Sequence, residues 1–410
     1  MRHNKEEFMR TMKRVAAVAL SVVVLMTSGV SAKAAVTDVQ PAKSSSEAVL
    51  KWAKKVGEPF DEKTYANNTV SKIKLVGNYL YVADDAKHRI MKIDKKDGTI
   101  LKEQKYYDES YIQGYVSSIG YGDGKVYVGY DNGRVQAFDE NTLESLWITD
   151  ENKNAINADF VFTNGKLYFG TTAKTTDWYD NGAPFSYYVV TTSDDDKTKP
   201  DEEKTMKKVV ESKTGKFYSK KGVVLGKYIV ISDTAGTLTM IDTTNDKVTD
   251  TKDIGEAFSG NITYDEMTGT IYFVAGTNDL YGIKVSADGK LKDEKKVRLY
   301  ETGYSATTPE VYNGKVYVSG SKGKAFQDKG YMAVADVSSD KYKVNYTVEL
   351  SNYSQCEPTI VKTGENSVRV YFTINDEPGG IYAIEDSKDA TSATLETVYE
   401  PTGDIKNTGC

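Results

Sequence analysis

The chain has 410 residues, 39% of them hydrophobic and 27% charged, so a buried core is feasible and disorder is not the default. Lys and Arg number 53 against 59 Asp and Glu, a net charge of −6, which argues against nucleic acid as the main partner. Two histidines and two cysteines exclude a multi-Cys/His zinc site, a haem-attachment motif and a disulfide framework.

Residues 1–34 read as a secretory signal peptide. Arg10, Lys13 and Arg14 precede an apolar run from Val15 to Met26, and small residues lead to Ala32-Lys33-Ala34. That order is the one export requires, and the run is shorter than the roughly 20 residues that span a bilayer. Cleavage removes six basic and two acidic residues and leaves a mature chain at −10. Residues 35–45 read as a linker. Cys356 and Cys410 remain, and their pairing is left open.

A short pattern then recurs: a turn ending in Gly, followed by alternating Tyr and aliphatic residues. It begins at Gly77, Gly124, Gly165, Gly226, Gly269 and Gly314, with a looser copy at Val368–Thr373. The glycine spacings are 47, 41, 61, 43 and 45 residues. A period in the forties built from short strands is the mark of a β-propeller, whereas helical repeats would show a 3.6-residue period. Seven four-stranded units are expected, at about 70–105, 113–149, 156–212, 220–254, 258–299, 305–350 and 355–400. The second strand of each is apolar at nearly every position, as a strand covered on both faces should be. The fourth carries charge, as an outer edge should. The fold class is therefore all-β, a propeller over residues 46–401.

Ala137-Phe-Asp139-Glu-Asn-Thr142-Leu-Glu-Ser-Leu-Trp147 resembles the tryptophan-docking repeat of pyrroloquinoline-quinone-type β-propellers, with Leu143 at its glycine position. The resemblance implies that Asp139 and Thr142 brace a turn and that Trp147 wedges against the next blade. It also points to exported proteins of Gram-positive bacteria. Dehydrogenases of this superfamily stack a quinone on tryptophan, bind calcium through acidic ligands and often carry adjacent cysteines. Here the cysteines are 54 positions apart and only Trp178 lies in a loop, so no cofactor is expected.

Leu50-Lys51-Trp52-Ala53 resembles the outer strand around Trp147. It suggests either an eighth blade, with 402–410 as its beginning, or a seven-blade ring with a spare N-terminal strand and 402–410 as a remnant.

His88, in the turn Asp84-Asp85-Ala86-Lys87-His88-Arg89, is the lone mature histidine and a candidate general base with Ser71; the plainer reading is a solvated turn. Asp194–Asp196, Asp131-Asn132-Gly133 and Asp94 with Asp97-Gly98 are oxygen-rich, but none completes a calcium loop. Residues 194–208 read as a solvated, mobile insertion. Aromatic-Ser pairs open several units: Tyr115 with Ser117, Tyr218-Ser219, Phe258-Ser259, Tyr304-Ser305 and Tyr353-Ser354. Placed where the chain approaches the innermost strand, they are candidate ligand-binding residues at the channel mouth; the plainer reading is packing between blades. The expected function is that of a secreted or surface-bound, monomeric, non-catalytic propeller binding a cell-wall glycan or a protein. The alternative is an enzyme, a quinoprotein or a carbohydrate-active propeller using acids such as Asp159 and Glu310.

Overall fold

The computed structural model describes residues 51–54, 56, 71–107, 118–174, 184–195, 203–217, 220–257, 260–305, 307–323, 329–354, 356–375 and 380–399. Residues 1–50, which include the expected signal peptide and linker, lie outside them, as do Trp178 and 400–410.

Seven antiparallel sheets follow one another along the chain. They are named here blade 1 (74–105), blade 2 (118–149), blade 3 (161–212), blade 4 (223–253), blade 5 (263–298), blade 6 (310–350) and blade 7 (359–399). In every blade the strands pair in chain order, from a short inner strand to an outer one. These bounds fall within the expected units. The sole helix among the described residues is the 3-10 turn Asp85–Lys87, and no described helix is long and apolar enough to cross a membrane.

Burial follows the sequence pattern. The second strands Lys125–Gly129, Thr270–Ala275 and Lys315–Ser321 are buried at every position. The outer strands Ile100–Lys105 and Lys247–Asp253 are mostly exposed. Six apolar clusters join neighbouring blades in sequence, from blades 1 and 2 around Tyr81, Ile90, Val126 and Phe138 to blades 6 and 7 around Val334, Val348, Val370 and Phe372. Blades 2 to 6 thus each supply half of two cores, which explains why both faces of their second strands are apolar.

Blade 7 departs from that rule. Val368, Val370, Phe372 and Ile374 face blade 6, while the opposite face carries Arg369, ion-paired to Glu385 at 2.8 Å and Glu396 at 2.6 Å. The far face of blade 1 is apolar. Val82, Met91 and Ile93 form a cluster there, against which Val56 packs. Among the described residues no buried apolar cluster joins blade 7 to blade 1.

Tyrosine is abundant for a physical reason. Three second-strand tyrosines, Tyr81, Tyr168 and Tyr317, bury their rings in the joint between blades and send their hydroxyls to the end of the third strand of the next blade or to the turn after it. Tyr81 donates to the Glu140 carbonyl at 2.7 Å. Tyr168 and Lys166 both reach Asp246 Oδ1 at 2.7 Å. Tyr317 reaches Asp386 Oδ2 at 2.7 Å, with Lys315 on both carboxylate oxygens. The Gly-Lys-x-Tyr of blades 3 and 6 is thus an interblade latch.

Two expectations need correction. The insertion 194–208 is not simply a solvated excursion: Glu203–Lys204 pairs in parallel with the edge of Ser145–Thr149, and Lys207–Ser212 is the outer strand of blade 3. The reason lies in Lys204, whose buried ammonium donates to the Thr191 and Ser193 carbonyls at 2.6 Å and sits 4.8 Å over the Trp147 ring. The second concerns Trp52, expected in an outer strand. Residues 51–54 pair with no strand. Instead the Trp52 indole lies on Gly98 and donates to the Lys95 carbonyl at 2.9 Å. Only a residue without Cβ leaves room there, since an added Cβ would lie 2.6 Å from the ring.

Candidate functional site at the hub

The turn after the third strand of blade 2 is held by its own side chains. Asp139 Oδ1 accepts hydrogen bonds from the Asn141 and Thr142 amides, both at 2.8 Å, and from the Thr142 hydroxyl. Ala137 pairs with Trp147 across the ladder, and Trp147 packs in the core shared by blades 2 and 3 with Tyr127, Leu167 and Phe169. The glycine position, Leu143, has φ of 60°, a left-handed conformation that costs a branched side chain energy. Its full burial against blade 1 compensates.

Inner strands of successive blades neighbour one another and line the hub. Two residues before the first residue of each inner strand stand Lys72, Asp159, Lys221, Asn261, Thr308 and Glu357, in blades 1, 3, 4, 5, 6 and 7. Lys74 and Glu310 open the inner strands of blades 1 and 6. Because the hairpins share a register, these residues form one collar around the hub. Backbone bonds hold part of it: the Asp159 amide donates to the Lys220 carbonyl at 3.1 Å, and the Lys221 amide donates to Asn261 Oδ1 at 2.8 Å.

The collar is electrically divided. Lys72 pairs with Asp159 at 3.5 Å. Burial, then the charge of Lys221, lowers the pKa of Lys74, with Asp159 opposing. On the other side, burial raises the carboxyl of Glu310 to about 7, the neighbouring Glu357 adding to the rise and Lys221 opposing it. Lys221 therefore lies within electrostatic reach of both halves. Behind the collar, burial lowers the buried ammonium of Lys220 to about 7, while it donates to the Gly260 carbonyl.

Of the residues expected at the channel mouth, Tyr115, Ser117, Tyr218, Ser219, Phe258 and Ser259 lie outside the described residues. Ser305 is buried and donates to the Ser319 carbonyl at 2.9 Å; Ser354 is buried and accepts from the Ser319 hydroxyl at 3.0 Å. Those hydroxyls bond to the second strand of blade 6. Tyr304 and Tyr353 are half-buried, and burial raises the Tyr304 phenol. His88 caps the 3-10 turn in a left-handed conformation, while the Ser71 hydroxyl accepts from the Ala83 amide at 2.9 Å and donates to the Lys72 carbonyl. Ser71 is thus engaged in holding the start of blade 1. Asp159 and Glu310, named from the sequence as acids, both belong to the collar; Lys72, Lys74, Lys221 and Glu357 escaped that reading.

No family model matches the sequence, and no curated protein matches it. Solved structures do. A europium-containing methanol dehydrogenase superposes with a TM-score of 0.52 at 11% identity, over 76% of this chain and 73% of that one. A quinohemoprotein alcohol dehydrogenase from Pseudomonas putida HK5 gives 0.51 at 13% identity, over 75% and 62%. BamB from Moraxella catarrhalis gives 0.48 at 10%, over 72% and 78%. The chain shares the β-propeller fold of these structures. At these identities the likeness concerns the fold alone.

Trp178, the loop tryptophan, lies outside the described residues; the other two are engaged in packing. Trp52 is packed on a turn of blade 1 and Trp147 is sealed between blades. No group of three His, Cys, Asp or Glu among the described residues is placed to hold a metal ion.

Proposed function

We propose that this protein is an exported, non-catalytic propeller that binds a glycan or protein ligand at its hub. The charged collar carries the reading. It combines solvated charged ends at Lys72, Lys221 and Glu357 with half-buried ones at Lys74 and Glu310. Half-buried polar groups ringing a shared centre provide directional hydrogen bonds to a ligand placed there. Export rests on residues 1–34, and the N-terminal sequence of secreted protein, expected to begin after Ala34, tests it. Calorimetric titration of the mature chain with cell-wall glycan fragments and peptides tests binding. Lys221→Ala and Glu357→Ala should weaken it without lowering the melting temperature, because both side chains are exposed.

One observation favours an enzyme as the second reading. Glu310 titrates near neutrality beside another carboxylate, the arrangement of a general acid. Hydrolysis of chromogenic glycosides by the parent chain, abolished in Glu310→Gln, would establish that reading in place of the first.

A further inference from the structure

The distribution of charge around the collar is not random. Blades 1, 3 and 4 contribute Lys72, Lys74, Asp159 and Lys221, with one lysine neutralised by the 3.5 Å pair to Asp159. Blades 6 and 7 contribute Glu310 and Glu357 without a basic residue at the same level. Between them, blade 5 offers the half-buried side-chain amide of Asn261, whose oxygen accepts from the Lys221 amide. The hub thus has a cationic arc, an anionic arc and a neutral, hydrogen-bonding span.

We infer that the hub selects a zwitterionic ligand, a short peptide segment with free ends, its carboxylate against Lys74 and Lys221 and its ammonium against Glu310 and Glu357. This rests on the hub being the binding site proposed above and narrows its ligand class. A ligand bearing one sign of charge would meet repulsion from one arc. A neutral glycan would leave both arcs without counter-charge in a partly desolvated centre, which is unfavourable. A zwitterion satisfies both arcs and brings its peptide groups past the Asn261 amide.

The test uses the mature full chain and glycine peptides of two to six residues, each with free ends, with an acetylated amine or with an amidated carboxyl. Binding is read by calorimetry, with glycan fragments titrated in parallel. At the best length, blocking either end should weaken binding about tenfold, the loss of one partly desolvated charge pair. In Glu310→Gln or Glu357→Gln, acetylation should cost little more. In Lys221→Met, amidation should cost little more. Lys221 and Glu357 are exposed, so these variants keep the fold, which circular dichroism verifies. Equal binding of free and blocked peptides, or no peptide binding at all, overturns the inference. If a neutral glycan then still binds and loses affinity in Lys221→Met, the hub remains the binding site. If nothing binds, both readings fall.

Discussion

Replacing Asp386 by Ala tests the latch between blades 6 and 7. The carboxylate is 1% exposed and Lys315 7%. Asp386 receives the Lys315 ammonium at 2.9 and 3.1 Å, the Tyr317 hydroxyl at 2.7 Å and the Tyr346 hydroxyl at 2.6 Å. Burial, together with the Asp386 charge, holds both phenols well above their ordinary range, so neither can ionise to take over the charge balance. Removing the carboxylate leaves a buried ammonium with only the Ser387 carbonyl among its bonded partners at this latch. Breaking a buried pair from one side costs about 3–5 kcal/mol. The two stranded hydroxyls push the figure to the top of that range. Urea unfolding followed by circular dichroism should show that loss. Because each blade depends on its neighbours, blade 7 should also become the first region cut by protease. The combined variant Lys315→Met, Asp386→Leu, Tyr317→Phe, Tyr346→Phe, which removes every member of the network, should lose far less than Asp386→Ala alone. A cost under about 1 kcal/mol for Asp386→Ala would refute the latch.

Other expectations follow from the same geometry. Leu143→Gly relieves a left-handed backbone worth about 1–2 kcal/mol but empties a fully buried site worth about 2–5 kcal/mol, so urea unfolding should show net destabilisation; a stabilised variant would show that strain outweighs packing there. Glu310→Gln should raise the melting temperature at pH 8 and leave it unchanged at pH 4. The folded carboxyl holds its proton to about 7, the unfolded one releases it near 4.3, and stability therefore falls as pH rises through that window. An equal effect at both pH values would contradict the burial assigned to Glu310. Lys220→Met should stabilise the chain at pH 6 more than at pH 9.5: the folded ammonium loses its proton near 7 and the unfolded one near 10.4, so the parent chain loses stability as pH falls from about 10.4 to about 7, and the cost is complete below that; differential scanning calorimetry at the two pH values decides. Gly98→Ala should displace the Trp52 ring and shift tryptophan emission to the red, and an unchanged spectrum would mean that Trp52 does not rest there in solution.

Local pattern made most of the architecture legible. Gly124, Gly165 and Gly226 end hairpin turns with positive φ, and the Tyr-rich runs after them became second strands because alternation and β-propensity act over a few residues. The turn at Asp139 and Thr142 was equally readable, since its bonds span at most three positions. Lys204 was not, because an acidic and basic run gives no hint that its ammonium is buried under Trp147. The collar was hidden for another reason. Its members precede the repeat glycine by five residues in blades 1 and 4, six in blades 3 and 6 and eight in blade 5, and this drift blurs any alignment made on the glycine.

The amino-acid order alone determined the number of described sheets, their strand succession and the chemistry of their turns, because those depend on contacts between near neighbours. Which acid meets which lysine was decided only by the ring: Lys315 finds Asp386 across 71 residues, and Lys72 finds Asp159 two blades away. Such pairs depend on how sheets are rotated about a shared axis, a quantity set by many weak packing contacts at once and written in no single stretch of chain.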